Sequence, residues 1–215
     1  MKNFCGFSPS VVIDNVDPDN LGRVKVRLTG LDGMKDQEVW ARLATLVAGN
    51  KRGTWFIPEV EDEVLVAFEG GDDGQFYVIG SLWNQSNPPP ETMNAQNDKK
   101  VLRLRSGLQI ALSEQNGQES FVVETPGGQS LTLSDGPGLI VIEDSMGNAV
   151  ALESKGVTVH ASATVTISAS TVEVNAGMLK VRAPLARFDG VVHCDTLITN
   201  TVISASYTPG AGNIW

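Results

Sequence analysis

A chain of 215 residues with a net charge of −9 has room for one large domain or two modest ones. It holds no run of ~18 apolar residues that would cross a bilayer as a helix, and Met1-Lys2-Asn3-Phe4 does not lead into the apolar stretch of a secretory signal, so a soluble cytosolic protein is expected. Ser106 to Ser154 contains seven carboxylates and no Lys or Arg, which argues against nucleic acid as a partner there, and Cys5 and Cys194, near opposite ends, read as reduced thiols rather than a disulfide framework.

The first strand signal is Val11-Val12-Ile13. It leads into Asp17-Pro18-Asp19-Asn20-Leu21-Gly22, a turn in which proline presets φ and glycine supplies φ > 0. Arg23-Val24-Lys25-Val26-Arg27-Leu28 then alternates with its apolar side inward and its basic side outward. Further strands are expected at 38–46, 63–69 and 75–82. About five short strands with frequent turns suggest a small closed barrel of the OB type.

Asn84-Gln85-Ser86-Asn87-Pro88-Pro89-Pro90 follows, where three prolines lack N–H donors and favour an extended chain. The domain boundary is placed in this region, with an OB domain and linker over 1–93, a needle over 94–190 and a tip segment over 191–215. Nine of thirteen aromatics precede residue 94, so a globular core fits the first part and not the second.

The second part has a different beat. Glycines at 107, 117, 127, 136, 147 and 156 are spaced 10, 10, 9, 11 and 9 residues apart. Between them lie alternating segments such as Leu108–Leu112, Ser130–Leu133 and Val157–His160. Apolar residues keep to odd positions from Val157 to Ala169 and switch to even ones at Val172, which implies a bulge or corner near Ser170-Thr171. Strands with small apolar residues on one face need a partner. A single-chain solenoid and three chains around a shared axis both satisfy this pattern.

Six separated motifs carry a resemblance: Val16-Asp17-Pro18, Leu21-Gly22-Arg23-Val24-Lys25-Val26-Arg27, Trp40-Ala41-Arg42, Phe56-Ile57-Pro58-Glu59-Val60, Asp62-Glu63-Val64-Leu65-Val66 and Val78-Ile79-Gly80-Ser81-Leu82-Trp83-Asn84 with Asn87-Pro88-Pro89. Together they resemble the OB domain of the phage baseplate assembly protein V and VgrG spike family. Leu104-Arg105-Ser106-Gly107-Leu108-Gln109-Ile110 is similar, more loosely, to the start of that family's trimeric β-helix. The resemblance implies an all-β homotrimer: an N-terminal OB-fold barrel followed by an intertwined β-helical needle. It implies a cell-puncturing role in a contractile injection machine, pushed through a target envelope on firing, without catalysis. VgrG proteins carry their hub on the same polypeptide; here the OB motifs begin within about twenty residues, so a separate trimeric hub protein is expected. The segment 85–100 leaves no room for the lysozyme domain that some phage relatives insert.

The carboxylates Glu59, Glu61, Asp62 and Glu63 read as a solvated turn rather than a metal or acid/base cluster. Gly70-Gly71-Asp72-Asp73-Gly74 lacks the ligand order of an EF-hand and reads as a hairpin. No catalytic set and no cofactor is assigned. His193-Cys194 are the residues considered for metal, since a trimer presents each three times on its axis. Some needle tips of the family bind iron through His-x-His, but positions 191 and 195 are Val and Asp, and strand packing is the preferred reading.

The tail Thr208-Pro209-Gly210-Ala211-Gly212-Asn213-Ile214-Trp215 forbids a regular strand. The resemblance implies a PAAR-type tip protein docked there, contacted by Tyr207, Pro209 and Trp215. The competing function is a β-helical polysaccharide-degrading tail enzyme. Such a groove usually offers aromatics for sugar stacking, and residues 106–183 hold one, Phe121. A nucleic-acid-binding OB domain would use Arg23, Lys25 and Arg27, yet acidic residues outnumber basic ones 14 to 8 before residue 94.

Overall fold

The computed structural model describes residues 5–29, 36–69 and 74–206, which contain fourteen strands and no helix. The first seven strands are β1 (Cys5–Asp14), β2 (Arg23–Leu28), β3 (Glu38–Leu43), β4 (Ala48–Gly49), β5 (Arg52–Gly53), β6 (Glu63–Glu69) and β7 (Gln75–Ser81). Five of them close a barrel in the order β1-β2-β3-β7-β6. β1 makes closure possible because it serves two neighbours: Cys5 to Val11 pairs with β6, and Ser10 to Asp14 pairs with β2 across an irregularity between Val12 and Asp14. The seam between β3 and β7 is parallel, at Arg42↔Tyr77 and Leu43↔Val78.

The alternation in β2 has the expected consequence. Val24, Val26 and Leu28 are fully buried and join Val12, Ala41, Val64, Val66 and Val78 in the barrel core. Phe68 closes one end of that core against Phe76, ring centroids 6.4 Å apart, and packs over Gly6, where a Cβ would lie 2.7 Å from its ring. β1 contributes Ser8 and Ser10 to the interior as well as Val12, and Ser10 Oγ donates to Ser8 O at 3.2 Å.

The remaining strands are β8 (Lys99–Arg103), β9 (Gln109–Ser113), β10 (Ser120–Glu124), β11 (Ser130–Ser134), β12 (Leu139–Glu143), β13 (Ala149–Glu153) and β14 (Gly156–His160). They form one antiparallel sheet in chain order. Four of its turns share a device. The carbonyls of Leu104, Thr125, Asp135 and Asp144 accept from the N–H of Gly107, Gly128, Gly138 and Gly147, three residues on, and each of these glycines has positive φ. The expected glycine beat is present, with Gly128 and Gly138 taking the left-handed position in place of Gly127 and Gly136.

Directly paired residues of an antiparallel sheet project to the same side. One face therefore carries a continuous row through Ile110, Val123, Leu131, Ile142, Val150 and Val159. A second row runs beside it through Leu112, Phe121, Leu133, Ile140, Leu152 and Val157. These side chains are larger than the small-residue face expected, because the alternation in 157–169, where alanines recur, does not represent the sheet as a whole. The opposite face has a central row of Ala111, Val122, Thr132, Val141, Ala151 and Thr158, flanked by rows that are polar except at Leu139 and Ala149.

Residues 166–206 belong to a second compact unit. No strand is assigned there and every residue is exposed, including Ile198 and Ile203. The phase change at Ser170-Thr171 therefore has no strand partner among the described residues to register it.

Candidate functional site

The features that bear on function are two surfaces and the turns that fix them. The first is the rim of the barrel. Asp17, on the turn after β1, is the hub of that turn. Its Oδ2 accepts the backbone N–H groups of Leu21 and Arg23 at 2.9 and 3.1 Å, and Oδ1 accepts Asp19 N–H at 3.1 Å. The Arg23 guanidinium bonds both oxygens, Nε to Oδ2 at 3.1 Å and Nη2 to Oδ1 at 2.7 Å, and reaches Asp19 at 2.5 Å. The Arg23 side chain, helped by these backbone donors, holds the Asp17 carboxyl well below the usual carboxylate range, and the same bonds raise Arg23. Arg23 also lies 5.6 Å from the Trp40 ring centroid.

These contacts dispose of much of the basic stripe on β2. Lys25 Nζ bonds Glu38 Oε2 at 2.6 Å, so Arg23 and Lys25 are both ion-paired within the chain.

β4 and β5 form a short arm that sequence reasoning missed, having extended one strand to residue 46. Lys51 at its tip has φ +54°, and Thr54 N–H donates to Val47 O at its base. Trp55 and Phe56 follow the arm with 76% and 62% of their surface exposed, and Leu46, which precedes it in the chain, is exposed too. The Gly49-Asn50 and Gly53 turn residues were the available signal.

The carboxylates at 59–63 form a turn, as read from sequence. Asp62 Oδ2 accepts Glu59 N–H at 2.9 Å, and Glu61 adopts φ +76°. Glu59 pairs with Arg105 at 3.1 Å and Glu63 accepts from Asn84 Nδ2 at 2.6 Å. Three of the four thus have structural partners, two of them beyond residue 83.

His193 and Cys194 are exposed and belong to no strand. Among the described residues no group of three His, Cys, Asp or Glu side chains is placed to hold a metal. Tyr207, Pro209 and Trp215 lie outside the described residues, as do Gly70 to Asp73 and the side chain of Cys5.

The second surface is the apolar face of the β8–β14 sheet, uncovered within one chain: Ile142 is 57% exposed and Val159 59%. At its edge the chain is turned by a polar network. Asp144 accepts the N–H groups of Met146 and Asn148 at 2.8 and 2.9 Å, and Asn148 Nδ2 at 2.7 Å. Asn148 Oδ1 in turn accepts Ser162 N–H at 2.8 Å. The Asn148 amide, with its backbone N–H, lowers the Asp144 carboxyl.

Residues 8–83, which span the closed barrel, match the family model of the type VI secretion system/phage-baseplate injector OB domain. Residues 120–180, from β10 onward, match that of the phage baseplate V C-terminal trimerisation domain. The chain belongs to this baseplate V and VgrG-like family. The order of barrel and trimerisation domain is the one the sequence motifs imply.

Among curated proteins, the type VI secretion system spike protein VgrG3 of Vibrio cholerae is 29% identical over 113 residues, 49% of this chain and 11% of its own length. The actin cross-linking toxin VgrG1 of Vibrio cholerae is 29% identical over 111 residues, 48% of this chain and 10% of that protein. Spike protein VgrG4b of Pseudomonas aeruginosa is 30% identical over 119 residues, 51% of this chain and 15% of that protein. The chain thus spans between a tenth and a sixth of the length of these relatives. None of its helices, there being none among the described residues, is long and apolar enough to cross a membrane.

Proposed function

We propose that this chain is the central spike of a phage-tail-like contractile injection system. Three copies assemble through the second half into a rigid needle, and the OB barrel docks on a separate trimeric hub protein. A PAAR-type protein sits on residues 191–215, the tip segment beyond the needle of 94–190. The role is mechanical and non-enzymatic, the target envelope being met only on firing. The producer cell makes the chain in its cytoplasm and builds it into a baseplate. The observation that carries this reading is the succession, in one chain, of an injector OB barrel and a trimerisation domain matched at 8–83 and 120–180.

The machine itself provides the experiment. Particles purified from a producer whose chromosomal copy carries an internal epitope should show label on the tail axis at the baseplate, and deletion should give particles that neither puncture nor kill. Label on the sheath or on lateral fibres, or full killing without the chain, would overturn the reading. Purified trimer should release no product from peptidoglycan or capsular polysaccharide; turnover lost on substituting particular carboxylates would favour the degradative enzyme instead.

A further inference from the structure

The turns of the β8–β14 sheet are not alike at their glycines. Gly107, Gly128, Gly138 and Gly147 each donate their backbone N–H to the carbonyl three residues back. Between β9 and β10 the bond runs instead from Gln118 N–H to Gln115 O at 2.8 Å, with Asn116 and Gly117 as the two central residues. The Gly117 N–H therefore has no acceptor among the described residues, and the exposed Asn116 side chain has no hydrogen-bond partner among them. Gly117 has φ +72°, and a Cβ there would meet nothing within 4 Å.

Asn116-Gly117 is the chain's one Asn-Gly pair, and three further asparagines, Asn94, Asn148 and Asn175, precede alanine. Those three side chains are held. Asn94 donates to Asp98 Oδ1 at 3.1 Å and accepts Asn97 N–H at 2.7 Å. Asn148 bonds Asp144 at 2.7 Å and Ser162 N–H at 2.8 Å, and Asn175 donates to Glu173 at 3.0 Å.

We propose that Asn116 is a modification site, at which the folded chain deamidates spontaneously to aspartate and isoaspartate. The Gly117 nitrogen, having given its proton to hydroxide, attacks Asn116 Cγ. The new C–N bond closes a succinimide ring as the Cγ–Nδ2 bond breaks, and Nδ2 takes up a proton from water and leaves as ammonia. Water then opens the ring. Cleavage at Cγ gives aspartate, and cleavage at the backbone carbonyl carbon gives isoaspartate. Water is the only co-reactant. The turn favours the attack because glycine puts no side chain in its path, and because both signs of φ are open to it, so the central peptide can rotate toward Cγ. No bond holds either reacting group back.

The product adds a carboxylate between Glu114 and Glu119, in a stretch with no Lys or Arg. Isoaspartate also lengthens the turn by one backbone carbon. That change is passed on, since Gly117 O lies 3.2 Å from the Cβ position of Gly136 on the turn between β11 and β12. The acidic form accumulates with time and so records the age of the folded chain.

Peptide mapping by mass spectrometry tests this on the full wild-type chain, held folded in mildly alkaline buffer and sampled over time. The expected result is loss of the amide at Asn116, with separate aspartyl and isoaspartyl products, while Asn94, Asn148 and Asn175 keep theirs. Mildly acidic quenching should trap the succinimide at the same residue. Gly117→Ala should slow the loss, and a urea-unfolded sample of that variant, compared with urea-unfolded wild type, shows the same slowing whether or not the variant folds. Retention of the Asn116 amide in the folded chain, when the unfolded chain loses it, would show that the fold protects the turn and would overturn the inference. Earlier conversion of Asn94, Asn148 or Asn175 would overturn it as well, and an unchanged rate in Gly117→Ala under both conditions would refute attack by the backbone nitrogen.

Discussion

Asp17 and Arg23 are joined by three bonds from one residue to the other: the Arg23 backbone N–H and Nε both donate to Asp17 Oδ2 at 3.1 Å, and Nη2 donates to Oδ1 at 2.7 Å. Asp17 is nearly enclosed, with 4% of its side chain exposed. The bond set closes the turn from β1 to β2 and orients the guanidinium over Trp40.

Acid should therefore find this turn early. The folded-state pKa of Asp17 lies below its unfolded value, so its contribution is present above about pH 4 and is lost as pH falls through the depressed folded value. Thermal melts of the full chain from pH 6 to pH 2 should show a decline that is shallower in Asp17→Asn, which also starts from a lower melting temperature at pH 6. Parallel curves for the two proteins would show that Asp17 has no share in the acid response.

The barrel core is held by aliphatic side chains rather than by polar contacts. Leu28 is the largest of the fully buried ones. Leu28→Ala should cost about 2–5 kcal/mol, the range for truncating a buried leucine, read as a shift in the urea midpoint followed by the fluorescence of Trp40, Trp55 and Trp83. Trimer mass should be retained, because the substitution lies in the barrel.

The glycine assignments in the sheet separate two neighbours that look alike in sequence. Gly128 has φ +82° and a Cβ there would lie 3.1 Å from Ser145 Cβ, whereas Gly127 has no positive φ and faces only the mobile end of Gln129. Gly128→Ala should destabilise the sheet by about 1–2 kcal/mol, the cost of a left-handed non-glycine residue, and Gly127→Ala by less. Equilibrium unfolding of both variants checks the ordering.

The tip reading has its own truncation. Deletion of residues 208–215 should leave trimer mass and circular dichroism unchanged while abolishing co-purification of a PAAR-type protein and lowering killing. A truncated chain that no longer trimerises would make the tail a clamp between copies.

The sequence was legible where alternation and burial coincide. In β2 and β6 every second residue is apolar and buried, and both strands were read to their observed ends. β1 was recognised only at Val11-Val12-Ile13 because its inward positions before them are Ser8 and Ser10, and Pro9 between them reads as a break; Ser10 Oγ is satisfied by Ser8 O, which makes the polar position tolerable inside. The arm of β4 and β5 has two-residue strands, too short for a period to register. Which glycine of Gly127-Gly128 or of Gly136-Pro137-Gly138 turns left-handed depends on strand register, such as Ser130↔Glu124 and Ser134↔Leu139, which composition does not reveal. Beyond Val165 the alternation is visible, but a strand needs a partner, and the single chain supplies none among residues 166–206. The polar network of Asp144, Asn148 and Ser162 is a tertiary feature spanning fourteen residues from Asn148 to Ser162, with no local motif to announce it.

The solution mass of the full chain, by size exclusion with multi-angle light scattering, tests the central claim most directly. Three chains of 22.9 kDa should travel together, and dissociation should require near-global unfolding, so the trimer should persist on dilution and resist mild detergent. A stable species of one chain mass, with β-structure content unchanged, would contradict the account.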